Sequence, residues 1–346
     1  MKACIFHGPG HVSVEDVPDP KPGPGEALLR VSAAAICHSD IRVYRGQKKA
    51  RPGVVPGHET AGVIEAVGEG VEGVRPGDRV VVCPILACGR CEFCVQGKRN
   101  RCPERRTLGY EEDGGLAELM LIPQSLFALG HVFPVPPGLS LEVAALTEPL
   151  ACVLSSLETC RLRPGDALLI VGAGPMGLMH LLLSRLMGAA RVMVTEPDPE
   201  RRSWAQRLGA TEAVDPGREE MPAAVLAATG GRGFDAVVVT VGLPVVLGEA
   251  LASVRRQGVV SLFGGFPPDT SVPFDPNVIH YGEIVLTGSQ NATTDQYRRA
   301  LGLIPRLPEL AALLTHRFSM SEAAGAYESR LAGEGLKSVV LPGGEL

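Results

Sequence analysis

Residues 167–177 read Ala167-Leu168-Leu169-Ile170-Val171-Gly172-Ala173-Gly174-Pro175-Met176-Gly177. A short apolar run bounded by a turn signal is the mark of a buried strand, and Pro175 just past the second glycine opens a helix that the apolar pattern carries to about residue 187. The glycines allow a tight turn and close approach of a pyrophosphate, whose charge meets the helix N-terminus. A second strand is expected at 191–195, and Glu196 at its end stands where an acidic residue accepts the hydroxyls of an adenosine ribose. A helix over 199–208 and strands at 236–240 and 259–263 continue the alternation, which implies a doubly wound parallel sheet. Gly172, Gly174, Pro175, Met176, Gly177, Glu196, Arg201 and Val241 are the expected cofactor-binding residues.

The first half follows a different rule. Short β-rich runs at 27–31, 60–67 and 79–82 are separated by Gly/Pro turns such as Pro22-Gly23-Pro24-Gly25 and Arg75-Pro76-Gly77-Asp78. They suggest a separate β-rich domain, a distorted barrel. The length of 346 residues fits two domains. A net charge of −5 with scattered Lys and Arg offers no basic stripe, so nucleic acid is not an expected partner. The start, Met1-Lys2-Ala3-Cys4-Ile5-Phe6, lacks the apolar core of a signal peptide, and the apolar helix after Pro175 is too short to span a bilayer. A cytoplasmic protein is expected. In that compartment nine cysteines point to metal chemistry before disulfides.

Four of those cysteines form the run Cys88-x2-Cys91-x2-Cys94-x7-Cys102. Three thiolates at that spacing wrap one face of a tetrahedral Zn²⁺ and a fourth closes it, which leaves no open position, so this zinc is expected to be structural. A second constellation is Cys37-His38-Ser39-Asp40, Gly57-His58-Glu59 and Glu148-Pro149. A thiolate, an imidazole and carboxylates make the ligand set of a catalytic zinc with an open position. Each piece alone is weak: a lone buried Cys or His is more often a core residue, and Glu148-Pro149 more often a helix start.

Together these residues resemble the zinc-containing medium-chain alcohol dehydrogenases, particularly the sorbitol (iditol) and threonine dehydrogenase branch. The likeness spans essentially the whole chain. It is carried by the Cys88 to Cys102 loop, Pro56-Gly57-His58-Glu59-Thr60-Ala61-Gly62, Asp113-Gly114-Gly115-Leu116-Ala117-Glu118, Glu148-Pro149-Leu150 and Thr315-His316-Arg317-Phe318. It implies a Rossmann-type sheet at 148–283 and a β-rich GroES-like catalytic domain built from 1–147 and 284–346. It also implies two Zn²⁺ per chain, NAD as coenzyme, and a homo-oligomer, a tetramer before a dimer.

By the same resemblance Cys37 and His58 bind the catalytic zinc, Glu59 and Glu148 bind it or its water, and Asp40 orients the histidine. Cys152 is a weaker candidate, with a small buried hydrophobe the plainer reading. Ser39 matches the hydroxyl that meets the substrate oxygen and starts the proton's exit while the substrate carbon gives hydride to nicotinamide. Many relatives end that relay with a His where this chain has Arg42; His38 is either near the pyrophosphate, a participant in proton exit, or an ordinary partly exposed His. Glu148 stands where the other main branch has Cys, which favours polyols and threonine. Sorbitol-type enzymes place an Arg-Tyr pair where this chain has Asn291-Ala292, which counts against sorbitol. The expected reaction is oxidation of a secondary alcohol, a polyol or similar, with threonine or a simple alcohol as the alternative. Zinc-free quinone reductases and non-catalytic binding proteins share the fold, yet they would have no use for Cys37, His58 and Glu148 together.

Overall fold

The apolar run is a strand, Ala167–Val171, whose five side chains are all buried. Burial on both faces is what a strand in the middle of a parallel sheet requires. Its parallel neighbours are Arg191–Thr195 on one side and Phe234–Val239 on the other. The sheet has six strands, and from one edge they follow in the sequence order third, second, first, fourth, fifth, sixth, the doubly wound dinucleotide-binding order. Its outer members, Glu212–Val214 and Val285–Gly288, are only three and four residues long.

The computed structural model describes residues 1–218 and 221–343. The chain divides into two units, Met1–Ala151 with Ala292–Leu346, and Cys152–Asn291. The strand Val285–Gly288 pairs parallel with Val254–Leu262, so the nucleotide unit runs on past the expected limit at residue 283. Glu148 falls within the first unit, although the expected boundary assigns it to the second.

In the first unit a seven-stranded sheet runs in the order Leu314–Ser319, Lys337–Leu341, Ala27–Ala35, Glu59–Val67, Arg79–Val82, Val132–Pro134, with Leu119–Ile122 also pairing with Ala27–Ala35. Its core gathers Leu29, Val31, Ile36, Ile64, Leu116 and Met120. One register matters for function. Ala35, the last residue of its strand, lies opposite Glu59, the first residue of the next. Cys37 follows the first of these strands and His58 precedes the second, so hydrogen bonding of two strand ends brings them together. The strand Lys337–Leu341 pairs antiparallel on the other side of Ala27–Ala35, with Val339 opposite Ala35. Lys337 thus also arrives beside Cys37 and Glu59.

Candidate active site

The Sγ of Cys37, a ring nitrogen of His58 and a carboxylate oxygen of Glu59 all lie within 4.8 Å of one another. His58 and Glu59 are buried, Cys37 half-buried. Cys37 caps the short helix His38–Tyr44, and its backbone N–H donates to Asp40 Oδ2 at 2.9 Å. The other Asp40 oxygen stands 3.2 Å from His58 Nδ1. That pairing assigns the ring proton to Nδ1 and leaves Nε2 turned toward Cys37 and Ser39 as a ligand atom. Burial pushes the Asp40 carboxyl up, but His58 and the Cys37 N–H outweigh it and hold the group below its usual range.

Glu59 is held from behind. Lys337 Nζ donates to Glu59 Oε1 at 2.6 Å, and both side chains are buried. The ammonium also stands 2.6 Å from Glu59 Oε2, so it straddles the carboxylate. A buried carboxylate grouped with a thiol and an imidazole nitrogen is the chemistry of a divalent cation site. Glu148 is not part of this cluster, but its charge bears on Glu59, whose carboxyl is raised by burial first and against the pull of Lys337. Of the four expected ligands, three are therefore gathered and the fourth stands nearby.

Ser39 Oγ sits over the cluster, 3.1 Å from Cys37 Sγ and 3.4 Å from His58 Nε2. Its shortest contact is one the sequence does not reveal, 2.6 Å to the hydroxyl of Tyr110. The phenol is buried and packs against the His58 ring, with centroids 5.1 Å apart. Tyr110 comes this close because the backbone of Gly109 packs directly on Gly57, where a Cβ would stand 2.9 Å from the Gly57 nitrogen. The ammonium of Lys48 lies 3.4 Å above the Tyr110 ring centroid. His38 is exposed and Arg42 half-buried on the same short helix.

The four sulfurs of Cys88, Cys91, Cys94 and Cys102 also lie within 4.8 Å of one another, with Cys88 and Cys94 4.0 Å apart. Zinc bonds of about 2.3 Å at tetrahedral angles require sulfurs roughly 3.8 Å apart, so the cluster fits the ion. Without a cation such thiols cannot all ionise. The N–H groups of Arg90 and Cys91 hold Cys88 down to about 7, and burial pushes Cys94 up to about 12. The remaining cysteines, Cys4, Cys83, Cys152 and Cys160, form no disulfide and lie outside both groups.

In the second unit Gly172 has φ 102°, and a Cβ there would collide with Thr240 and Val241. A Cβ on Gly177 would lie 1.9 Å from the Gly172 oxygen, whereas one on Gly174 meets nothing. The turn is thus closed on its protein side and open at the N-cap of the helix Pro175–Leu186, which no side chain caps. An anion fits there, since the first N–H groups of a helix lack partners. Glu196 is buried and accepts from Ala173 N at 2.8 Å and Asp198 N at 3.1 Å, which fixes its carboxylate beside the turn. Arg202, one residue beyond the expected Arg201, donates to the carbonyls of Glu196 and Pro197 and pairs with Asp215. Arg201 lies at the start of the same helix, its N–H accepted by Asp198.

The sequence matches two family profiles, the alcohol dehydrogenase GroES-like domain over residues 23–136 and the zinc-binding dehydrogenase over 175–306. It is 32% identical to a sorbitol dehydrogenase of Bacillus subtilis, over 99% of this chain and 97% of that protein. It is 35% identical to an L-threonine 3-dehydrogenase of Pyrococcus furiosus, over 79% and 78% of the two chains. A zinc-binding dehydrogenase of Sinorhizobium meliloti, solved bound to NADP, superposes with a TM-score of 0.91 at 30% identity and 99% coverage of both chains.

Proposed function

The chain belongs to the zinc-containing medium-chain alcohol dehydrogenases, and from that premise we propose that it oxidises a secondary alcohol, a polyol or similar, with NAD as hydride acceptor. The observation that carries the reading is the gathering of Cys37, His58 and Glu59 beneath the Ser39 hydroxyl. When bound there, zinc supplies Lewis acidity that makes the alcohol proton easier to remove, and the nicotinamide takes the hydride. The residues do the rest. Cys37 and His58 bind the ion, Asp40 keeps the His58 ring in the binding tautomer, and Glu59 offers a carboxylate oxygen while Lys337 balances its charge. Glu148 serves the same centre from a step further out.

Ser39 accepts the proton from the substrate hydroxyl and passes on its own. Its 2.6 Å bond to the buried Tyr110 phenol holds the Ser39 hydroxyl over the cluster. Cys88, Cys91, Cys94 and Cys102 hold the second, structural zinc.

For the coenzyme, the Sinorhizobium relative was solved with NADP, so the acid at the end of the second strand decides. Glu196, buried beside the turn, offers acceptors to the ribose hydroxyls and like charge to a 2′-phosphate. NAD is the expected partner. The threonine reading stays alongside the polyol one because 35% identity to a threonine dehydrogenase extends over most of the chain. A homo-oligomer, a tetramer before a dimer, fits the exposed apolar residues Val285, on an edge strand of the nucleotide sheet, and Tyr281, in the helix just before it; light scattering reads its size. Among the described residues no helix is long and apolar enough to cross a membrane, and nine cysteines without a disulfide suit a reducing cytoplasm. The test is NADH formation with a panel of polyols, cyclitols, L-threonine and simple secondary alcohols on zinc-loaded protein. Absence of turnover with every member rejects the proposal.

A further inference from the structure

Lys48 lies outside the zinc ligands and outside every residue singled out in the sequence, yet its position is fixed. Gln47 N and Lys48 N both donate to the Arg42 carbonyl, at 2.8 and 3.2 Å, which ties this loop to the short helix that carries Ser39. From there the side chain folds over Tyr110, with Nζ 3.4 Å from the ring centroid. The hydroxyl of that ring is 2.6 Å from Ser39 Oγ. The ammonium therefore stands within one small-molecule length of the hydroxyl that meets the substrate.

An ammonium has three donors, and an aromatic face satisfies charge but accepts none of them well. The Lys48 side chain is exposed, so its donors face solvent where a ligand can reach them. The two carboxylates whose charge reaches it from the packed elements are already committed. Asp40 accepts from Cys37 N and faces His58. Glu111 accepts from Thr107 N at 2.9 Å. Among the described residues no carboxylate lies within ion-pair distance of Lys48, and the Tyr110 ring is its side-chain partner. An exposed cation beside a reaction centre, with no carboxylate partner of its own, can exchange water for an acceptor brought by a ligand.

We infer that Lys48 is a specificity residue that selects alcohols bearing an oxyanion, a carboxylate or a phosphate, a few bonds from the carbon to be oxidised. This rests on the alcohol-oxidising reading of the same site and narrows its substrate class. Ser39 would meet the hydroxyl while Lys48, steadied on Tyr110, meets the anion. Two contacts at a fixed separation would orient the substrate for hydride loss, which one neutral contact does not.

Calorimetric binding to the zinc-loaded protein with NADH bound tests this without turnover. Two matched pairs serve as probes: 3-hydroxybutanoate against butan-2-ol for a carboxylate, and glycerol 3-phosphate against glycerol for a phosphate. At least one anionic member should bind roughly 10- to 100-fold more tightly than its neutral partner, as a charged hydrogen bond gives. Lys48→Met should bring that ratio toward one and Lys48→Arg should keep most of it, and the pair that responds identifies the anion. Equal affinities within both pairs in the unsubstituted protein, or a preference that survives Lys48→Met, overturns the inference. Failure of the dehydrogenase reading shows separately, as absence of NADH formation from any alcohol in the panel.

Discussion

Lys337 and Glu59 form an ion pair whose side chains are 4% and 0% exposed, with 2.6 Å between them, directly behind the proposed zinc ligands. Burial alone would lower the lysine's pKa, but the Glu59 carboxylate outweighs it and holds the ammonium above its usual range. Lys337→Met keeps the aliphatic stem and deletes the charge, leaving Glu59 buried and uncompensated. Removing one partner of such a pair costs about 3–5 kcal/mol. For a folding unit of about 200 residues each kcal/mol moves Tm by about 2–4 °C, so the metal-free variant should melt on the order of 10 °C lower. Zinc should restore part of the loss, because a dication beside Glu59 replaces the missing charge and binds only the folded state. Adding Glu59→Gln should also restore part of it, since a neutral amide no longer needs the ammonium. Calorimetric melting of wild type, Lys337→Met and the double variant, each with and without zinc, reads all three effects. A metal-free Lys337→Met that melts with wild type, or a double variant no better than the single one, would refute the reasoning.

The other predictions bear on separate parts of the molecule. Ser39→Ala should lower turnover by roughly 10²- to 10⁴-fold, as loss of a positioned acid–base group does, with Tm nearly unchanged; an undiminished rate would mean the proton leaves by another route. Glu196→Ala should raise the KM for NAD and relax discrimination against NADP by about 1–3 kcal/mol, the worth of charged hydrogen bonds; a wild-type preference for NADP would show the role of Glu196 to be misread. Burial holds His180 down to about 4, so between about pH 6.5 and pH 4 the unfolded chain takes up a proton the folded one refuses. Stability should fall as pH falls through that window, by up to about 1.4 kcal/mol per pH unit from this residue. His180→Leu should flatten the pH dependence of the urea midpoint between about pH 7 and pH 5, measured metal-free, and an identical slope in the variant counts against this.

The parts of the fold legible in the sequence are those fixed by neighbours in the chain. Strand, glycine turn and helix over 167–177 follow from local apolar pattern and turn chemistry, and the strands at 191–195 and 79–82 have the expected limits. The four-cysteine run is legible because its ligand spacing is local. Less visible are strands whose existence depends on a partner. Glu212–Val214 and Val285–Gly288 are short and are held by the edges they pair with. At the site, Cys37, His58 and Glu59 stand out by residue type, but Tyr110, Lys337 and Lys48 do not. Tyr110 reaches Ser39 across 71 positions and Lys337 reaches Glu59 across 278, through strand register and a glycine contact. The run Asp113-Gly114-Gly115, near Tyr110, marks that segment without naming its tyrosine.

The central claim is that one zinc, held by Cys37, His58 and Glu59, drives alcohol oxidation while a second, held by four cysteines, maintains structure. Metal content, NADH formation and circular dichroism, followed together through stepwise chelation, test it most directly. The account predicts two zinc ions per chain, one for each ligand group. The first to leave should take activity with it while the dichroism is unchanged, and Cys37→Ser should reproduce that inactive folded state. Full activity in Cys37→Ser, or activity and fold lost together at every chelator concentration, would contradict the claim.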